Sequence, residues 1–153
     1  MEGASRNIKG NVMKQTKTAQ VITESVELEF VDPQGESTAL EADLVFDPAD
    51  PFAVTMVFRT GVQEVRWTFG RELLVEGLYE PTGDGDVHVW PCLSSNGSAV
   101  VIVELCSPDG ELLVQAGSRA VNGFVTKMLA SVPDGQESAF VDFDGELARI
   151  LAD

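Results

Sequence analysis

The chain has one histidine, one tyrosine and two cysteines in 153 residues, and ten lysines and arginines against 25 aspartates and glutamates. Each shortage removes a class of chemistry. One histidine and two separated cysteines are too few for a recognisable transition-metal motif. Cys92 and Cys106, fourteen residues apart, read as reduced, small packing residues, with a disulfide or redox pair as the lesser alternative. No apolar run reaches the roughly 18–20 residues of a membrane span, and the N-terminus lacks the 7–15-residue apolar core of a secretory signal. The expected location is the cytoplasm. Basic residues are also badly placed for a polyanion. Arg6, Lys9, Lys14 and Lys17 lie in the first 17 residues beside a single acid, Glu2, and the other six are scattered singly through a body with 24 acids. A field this negative repels phosphate backbones, so nucleic acid is a poor partner for the body.

Strand and helix signals are plentiful. Residues 1–20 show no sustained apolar period and read as a basic, mobile arm; residues 21–153 read as one domain. Val26, Leu28 and Phe30 alternate with acids, as do Leu40, Ala42, Leu44 and Phe46, and Asp32-Pro33-Gln34-Gly35 between them has the composition of a type I turn. The sequence predicts a hairpin there. Asp47-Pro48-Ala49-Asp50-Pro51 breaks the ladder. A third strand follows with Phe52, Val54, Met56 and Phe58 on one face, then a fourth with Val65, Trp67 and Phe69, joined at Thr60-Gly61.

Thr68 is placed to cap a helix whose core face is Phe69, Leu73 and Leu74. Gly77 stands where a left-handed C′ residue would end it, with Leu78 folding back on Leu73. Thr82-Gly83-Asp84-Gly85-Asp86 reads as a tight loop before a fifth strand, Val87–Leu93. Val100–Cys106, apolar on both faces except Glu104, reads as interior. Ser107-Pro108-Asp109-Gly110 turns the chain into a seventh strand carrying Leu112, Val114 and Ala116. A helix capped by Ser118 then presents Val121, Phe124, Val125, Met128 and Leu129 at i, i+3, i+4, i+7 and i+8. Gly123 inside it points to close packing. After a loop at Val132–Gln136, a short last helix is expected near Asp144–Leu151. The class is α+β: about seven mostly antiparallel strands, two main helices and a short C-terminal helix.

Reaction centres are scarce in this pattern. His88 lies opposite Val87 and Val89, beside Trp90, and reads as a hydrogen-bonded sheet histidine; no nucleophile is paired with it by spacing. Asp47, Asp50, Asp84 and Asp86 read as turn residues, with weak cation binding as the alternative, because the six or more oxygens of a Ca²⁺ loop are missing. Arg71 and Glu72 near Glu76 read as a solvated helix face, with a polar pair in a cleft as the less favoured reading. Trp67 is assigned to the core. Tyr79 and Trp90, after a helix and on a strand, are the candidates for partner or subunit contact. No catalytic, cofactor-binding or metal-ligating residue is assigned, and no small-molecule substrate.

Five segments carry a resemblance: Asp47–Phe52, Trp67-Thr68-Phe69-Gly70-Arg71-Glu72-Leu73-Leu74, Gly77–Pro91, Ser107–Gly110 and Val132–Gly135. In this order and spacing they resemble the SsgA-like proteins of actinomycetes, regulators of sporulation-linked cell division, over about residues 24–152. The resemblance implies a fold similar to the whirly type of single-stranded nucleic-acid binders, a homotrimer, and no cofactor or catalytic residues. It also implies a role at the division septum, recruiting the tubulin-like protein FtsZ together with SsgA-type division proteins. Membrane contact would then be indirect or through the basic arm. The chain departs from the family in the length of that arm, at Gly70, where a better helix former is usual, and at Gly123. The alternative reading, taken from the fold analogy, is a single-stranded nucleic-acid-binding module.

Overall fold

The computed structural model describes residues 20–141. The basic arm, apart from residue 20, and the expected helix at Asp144–Leu151 lie outside the described residues.

Eight strands form one sheet: β1 (Ile22–Val31), β2 (Ser37–Phe46), β3 (Ala53–Thr60), β4 (Gln63–Gly70), β5 (Thr82–Asp84), β6 (Val87–Leu93), β7 (Ala99–Ser107) and β8 (Gly110–Gly117). Helix α1 (Arg71–Gly77) follows β4, α2 (Ser118–Ser131) follows β8, and a 3₁₀ turn spans Glu137–Phe140. The spatial order is β4-β3-β2-β1-β8-β7-β6-β5, and every neighbouring pair is antiparallel. The chain thus makes the same unit twice, a four-stranded meander running directly into a helix. The units join along a short seam, Leu28↔Ala116, Glu29↔Gln115 and Phe30↔Val114.

Local chemistry accounts for most of these elements. In the β1–β2 turn Gly35 N–H donates to Asp32 O at 2.9 Å, and Asp32 Oδ1 accepts from the amides of Gln34 and Glu36. Gly35 takes φ +85° there, a conformation costly for any residue with a Cβ. Asp47 organises the proline-rich break in the same way, its Oδ1 accepting from Ala49 N–H at 2.9 Å. The period-two pattern then sends alternate residues to one core. Leu28, Leu44, Phe46, Val54, Met56 and Phe58 from the first meander meet Val89, Val101, Val103, Leu105 and Val114 from the second. Leu74 of α1 and Val121, Phe124, Val125 and Met128 of α2 close over them, as the helical spacing predicts for α2. Each fully buried Leu, Met or Phe contributes about 1.5–3 kcal/mol relative to exposure.

Several expectations need correction. The sheet has eight strands, because the Gly/Asp loop at 82–86 supplies a short edge strand: Thr82, Gly83 and Asp84 pair with Val89, His88 and Val87. Phe52 precedes β3 and is 53% exposed, since the break ends only at Ala53. Trp67 is half-buried at the margin of the core. Thr68 and Phe69 stay in β4, so α1 starts at Arg71 with Gly70 as its N-cap, and α2 starts at Ser118 with Gly117 as its N-cap; neither end has a side-chain cap. Helix propensity is therefore beside the point at Gly70, which has extended backbone.

The two helical glycines exchange roles. Gly77 does not adopt a left-handed conformation and is the last residue of α1. A Cβ there would stand 2.2 Å from Val89 Cγ1, so the glycine lets α1 lie against a fully buried strand residue. Gly123 has nothing within 4 Å of its missing Cβ, so no close packing explains it.

Arg71 is the largest departure. Expected on a solvated face, it is 2% exposed. Nη2 donates to Glu137 Oε2 at 2.9 Å and to Pro133 O at 3.2 Å, and Nε also donates to Glu137 Oε2. The guanidinium carbon lies 5.6 Å from the centroid of the Phe46 ring, a cation–π distance. Nη1 has no hydrogen-bond partner among the described residues. Hydrogen bonding from its own backbone amide, and then from Arg71, holds the Glu137 carboxyl below its ordinary range against the opposing effect of burial.

The two glycines and the Arg71–Glu137 pair are open to direct test. Gly123→Ala raises stability by about 1 kcal/mol, the helix-propensity difference. Gly77→Ala, with the same propensity gain, lowers it by about 1–2 kcal/mol because the core must shift; urea unfolding of both variants measures the contrast. A depressed folded-state pKa gives stability that is present above the unfolded carboxylate range and lost as pH falls through the folded value. The wild-type advantage over Glu137→Gln is accordingly full near neutral pH and shrinks below about pH 4.3, the unperturbed glutamate value. Arg71→Met costs about 3 kcal/mol near neutral pH by leaving Glu137 without its partner, read from unfolding midpoints across pH.

Candidate functional site

The helices cover one face of the sheet and leave the other outward. On the first meander that outer face is a charge ladder. Arg59 stands in register between Glu41 and Glu64 and bonds diagonally to Asp43, whose other oxygen accepts from Ser25 Oγ at 3.1 Å. The Arg59 guanidinium holds the Asp43 carboxyl below its usual range. Arg66 pairs with Glu64 at 3.5 Å, and on the helix-covered side Lys127 of α2 pairs with Glu24. Four of the five basic residues among the described residues are thus matched with carboxylates, the fourth being Arg71.

The second meander carries different residues on the same outer face. Because Val87 and Val89 point into the core, His88 and Trp90 point outward. His88 lies opposite Glu104, Trp90 opposite Ile102, and Cys92 opposite Val100. Val100 and Ile102 are buried but stand apart from the main core, so β7 is apolar on both faces as its sequence indicates. A shallow recess of about 460 Å³ is lined by Pro81, Thr82, Gly83, His88, Trp90 and Glu104.

Trp90, one of the two contact candidates, is a half-buried wall of this recess. Tyr79, the other, is 76% exposed two residues before Pro81. Neither is absorbed by the core.

Sequence reading missed one constellation here. His88 Nδ1 stands 3.4 Å from Glu104 Oε1, and a ligating atom of Cys106 completes a set whose members all lie within 4.8 Å of one another. The signal was available only as register: directly opposed residues on β6 and β7, plus the residue two further along β7 on the same face. His88 is seated by its other neighbour. A Cβ on Gly83, its partner on β5, would stand 2.3 Å from His88 Cδ2, so the imidazole lies across the glycine.

Burial, and then the charges of Glu104, Glu111 and Asp86, push the Cys106 thiol up. A thiolate is therefore scarce at neutral pH and nucleophilic chemistry disfavoured. Cys92 is exposed, contrary to its expected packing role. It lies about 20 Å along the ladder from Cys106, six strand residues beyond its partner Val100, which rules out a bond between them in this fold.

Asp50 and Asp86 lie in turns and Asp47 holds the break before β3, as expected, whereas Asp84 is the last residue of the edge strand β5. Glu72 is exposed, and Glu76 Oε1 accepts from Thr82 Oγ1 at 3.3 Å. The solvated face expected for these residues holds for Glu72 and Glu76, while Arg71 is buried on Glu137 and the less favoured pairing of Arg71 with Glu72 does not form.

A separate apolar groove of about 550 Å³ opens at the turn end of the sheet. Phe30, Leu40, Phe58, Val65 and Leu112 line it, and Val62 at the nearby hairpin tip is fully exposed. It contains no cluster of titratable groups.

Comparison with known proteins agrees with the sequence resemblance. The family described as "Streptomyces sporulation and cell division protein, SsgA" matches residues 40–137. The sporulation-specific cell division protein SsgB of Streptomyces coelicolor is 46% identical over 127 residues, 82% of this chain and 92% of that protein. SsgB of Frankia casuarinae is 41% identical, covering 85% and 91%. A solved structure reported with mutations in SsgB that correlate to longitudinal cell division during sporulation of Streptomyces coelicolor superposes with a TM-score of 0.76. Its identity is 41%, and the match covers 80% of this chain and 97% of that one. The crystal structure of an SsgA-like sporulation-specific cell division protein from Thermobifida fusca gives 0.78 at 34% identity, covering 86% and 96%. With this share of sequence and fold in common, the chain belongs to the SsgA family of sporulation and cell division proteins.

Proposed function

We propose that this chain is an SsgB-type, sporulation-specific cell division protein. It acts as a non-enzymatic adaptor that marks septum sites from the cytoplasm and recruits FtsZ, alongside SsgA-type division proteins. The observation that carries this reading is the 46% identity to an SsgB over most of both chains. The surface supports it in kind. Exposed Tyr79, Leu93 and Val62 and the apolar groove near Val62 are features by which protein surfaces recognise one another. Assembly as a homotrimer is part of the proposal. A fold similar to the whirly type is likewise part of the proposal; it is a likeness of fold and carries no function by itself.

The alternative, a single-stranded nucleic-acid module, needs exposed aromatics in a basic groove. Trp90 has the ring, but its recess contains Glu104, and the arginines of the outer face are already matched with acids.

The test is co-sedimentation of the full chain with FtsZ filaments, alone and with an SsgA-type partner, at about 0.15 M salt, where charges are screened beyond about 8 Å. Binding is expected, and Tyr79→Ala with Trp90→Ala weakens it by about thirtyfold if these rings anchor the contact. Absence of binding in either arrangement refutes the adaptor role; micromolar oligonucleotide binding at the same salt favours the alternative.

A further inference from the structure

We propose that His88, Glu104 and Cys106 form a binding site for a zinc-class divalent cation on the outer face of the second meander. The inference rests on the geometry of these side chains and is independent of the role in division.

Three observations support it. The ligand types are complementary: an imidazole nitrogen, a carboxylate oxygen and a sulfur, a mixture that selects zinc over calcium or magnesium, which take oxygen. The distances are nearly right. Ligand atoms about 2.0–2.3 Å from one tetrahedral zinc stand about 3.3–3.7 Å from each other. The His88 Nδ1–Glu104 Oε1 separation is already 3.4 Å, and the full set lies within 4.8 Å, so side-chain rotation without backbone movement closes it.

The third observation is support from behind. Rigid antiparallel pairing places His88 opposite Glu104, and Gly83 leaves room for the ring to lie across β5, so Nδ1 is presented toward β7 before any ion arrives. The backbone around the cluster is also fixed, with Cys106 N–H donating to Asp86 O at 2.8 Å. The Asp86 and Glu111 carboxylates act on the same sulfur and add to a local field favourable to a cation.

On binding, the Cys106 thiol gives up its proton to solvent as the sulfur–metal bond forms, while His88 ligates as the neutral imidazole and Glu104 as the carboxylate. Three protein donors leave one position of a tetrahedral ion open to water, or to a donor from a bound partner. Trp90 lines the recess beside it together with His88 and Glu104, so an ion here sits at the edge of a surface suited to contact.

The experiment is a Zn²⁺ titration of the untagged, reduced full-length chain by calorimetry, paired with Co²⁺ absorption spectroscopy. One ion per chain is expected, with a thiolate-to-cobalt charge-transfer band. Cys106→Ser abolishes the band, and Cys106→Ser and His88→Gln each weaken Zn²⁺ binding by about tenfold or more, whereas Cys92→Ser changes neither. Gly83→Ala keeps all three ligands but displaces the ring, and weakens binding by about tenfold, in the range of supporting-residue effects at metal sites. Gly83, His88 and Cys92 are exposed and Cys106 is half-buried, and matched circular dichroism melts verify that each variant is folded. No binding, binding unaffected by Cys106→Ser or His88→Gln, or a cobalt spectrum without the sulfur band overturns the proposal.

Discussion

Burying the Arg71 guanidinium commits the chain to a particular arrangement of distant parts. A charge taken out of water must find compensating partners, or the fold loses several kcal/mol. Arg71 finds them on Glu137 and Pro133, more than sixty residues away, and over the ring of Phe46. One side chain therefore ties the first helix, the second strand and the segment after the second helix into a single contact. The same junction brings the start of the first unit's helix against the segment that follows the second unit, while the core beneath is shared between them. A sheet joined across its middle by only three residue pairs needs such a tie, because backbone pairing alone holds the halves by a short seam.

Above that common base, the two halves of the outer face serve different purposes. The first spends its polar side chains on one another, Arg59 with Asp43 and Arg66 with Glu64, and offers a partner a mostly neutralised surface. The second places an aromatic, a histidine, a carboxylate and two thiols where the strands carry apolar residues on both sides. The helix-covered face builds the scaffold; under the proposed adaptor role, recognition would fall to edges, turns and the open face. The recess beside Trp90 and the ligand cluster next to it occupy the same stretch of strand, so a bound cation and a bound partner would share a boundary.

Much of this was legible in the residue order. The first hairpin follows from alternating apolar residues around Asp32-Pro33-Gln34-Gly35, and α2 from five apolar residues at helical spacing, since these patterns reflect local periodicity and turn chemistry. The interior character of β7 was equally plain from its run of valines. The errors cluster where a local signal has two meanings. Gly77 at a helix end reads as a left-handed cap, but Val89, twelve residues on, requires it for contact. Thr82–Asp86 reads as a loop because glycine and aspartate dominate, yet the partner strand β6 draws Thr82–Asp84 into the sheet.

What the sequence determined by itself was the inventory: period-two strands, one clear amphipathic helix, an acidic body, and a family likeness spread along nearly the whole chain. Local forces act between near neighbours, so local spacing reports them. Only the tertiary structure decided that Arg71 is buried, that Glu137 is its counter-ion, and that His88, Glu104 and Cys106 converge. Those facts depend on strand register and on contacts across tens of residues, and register arises when all the strands settle together over one core.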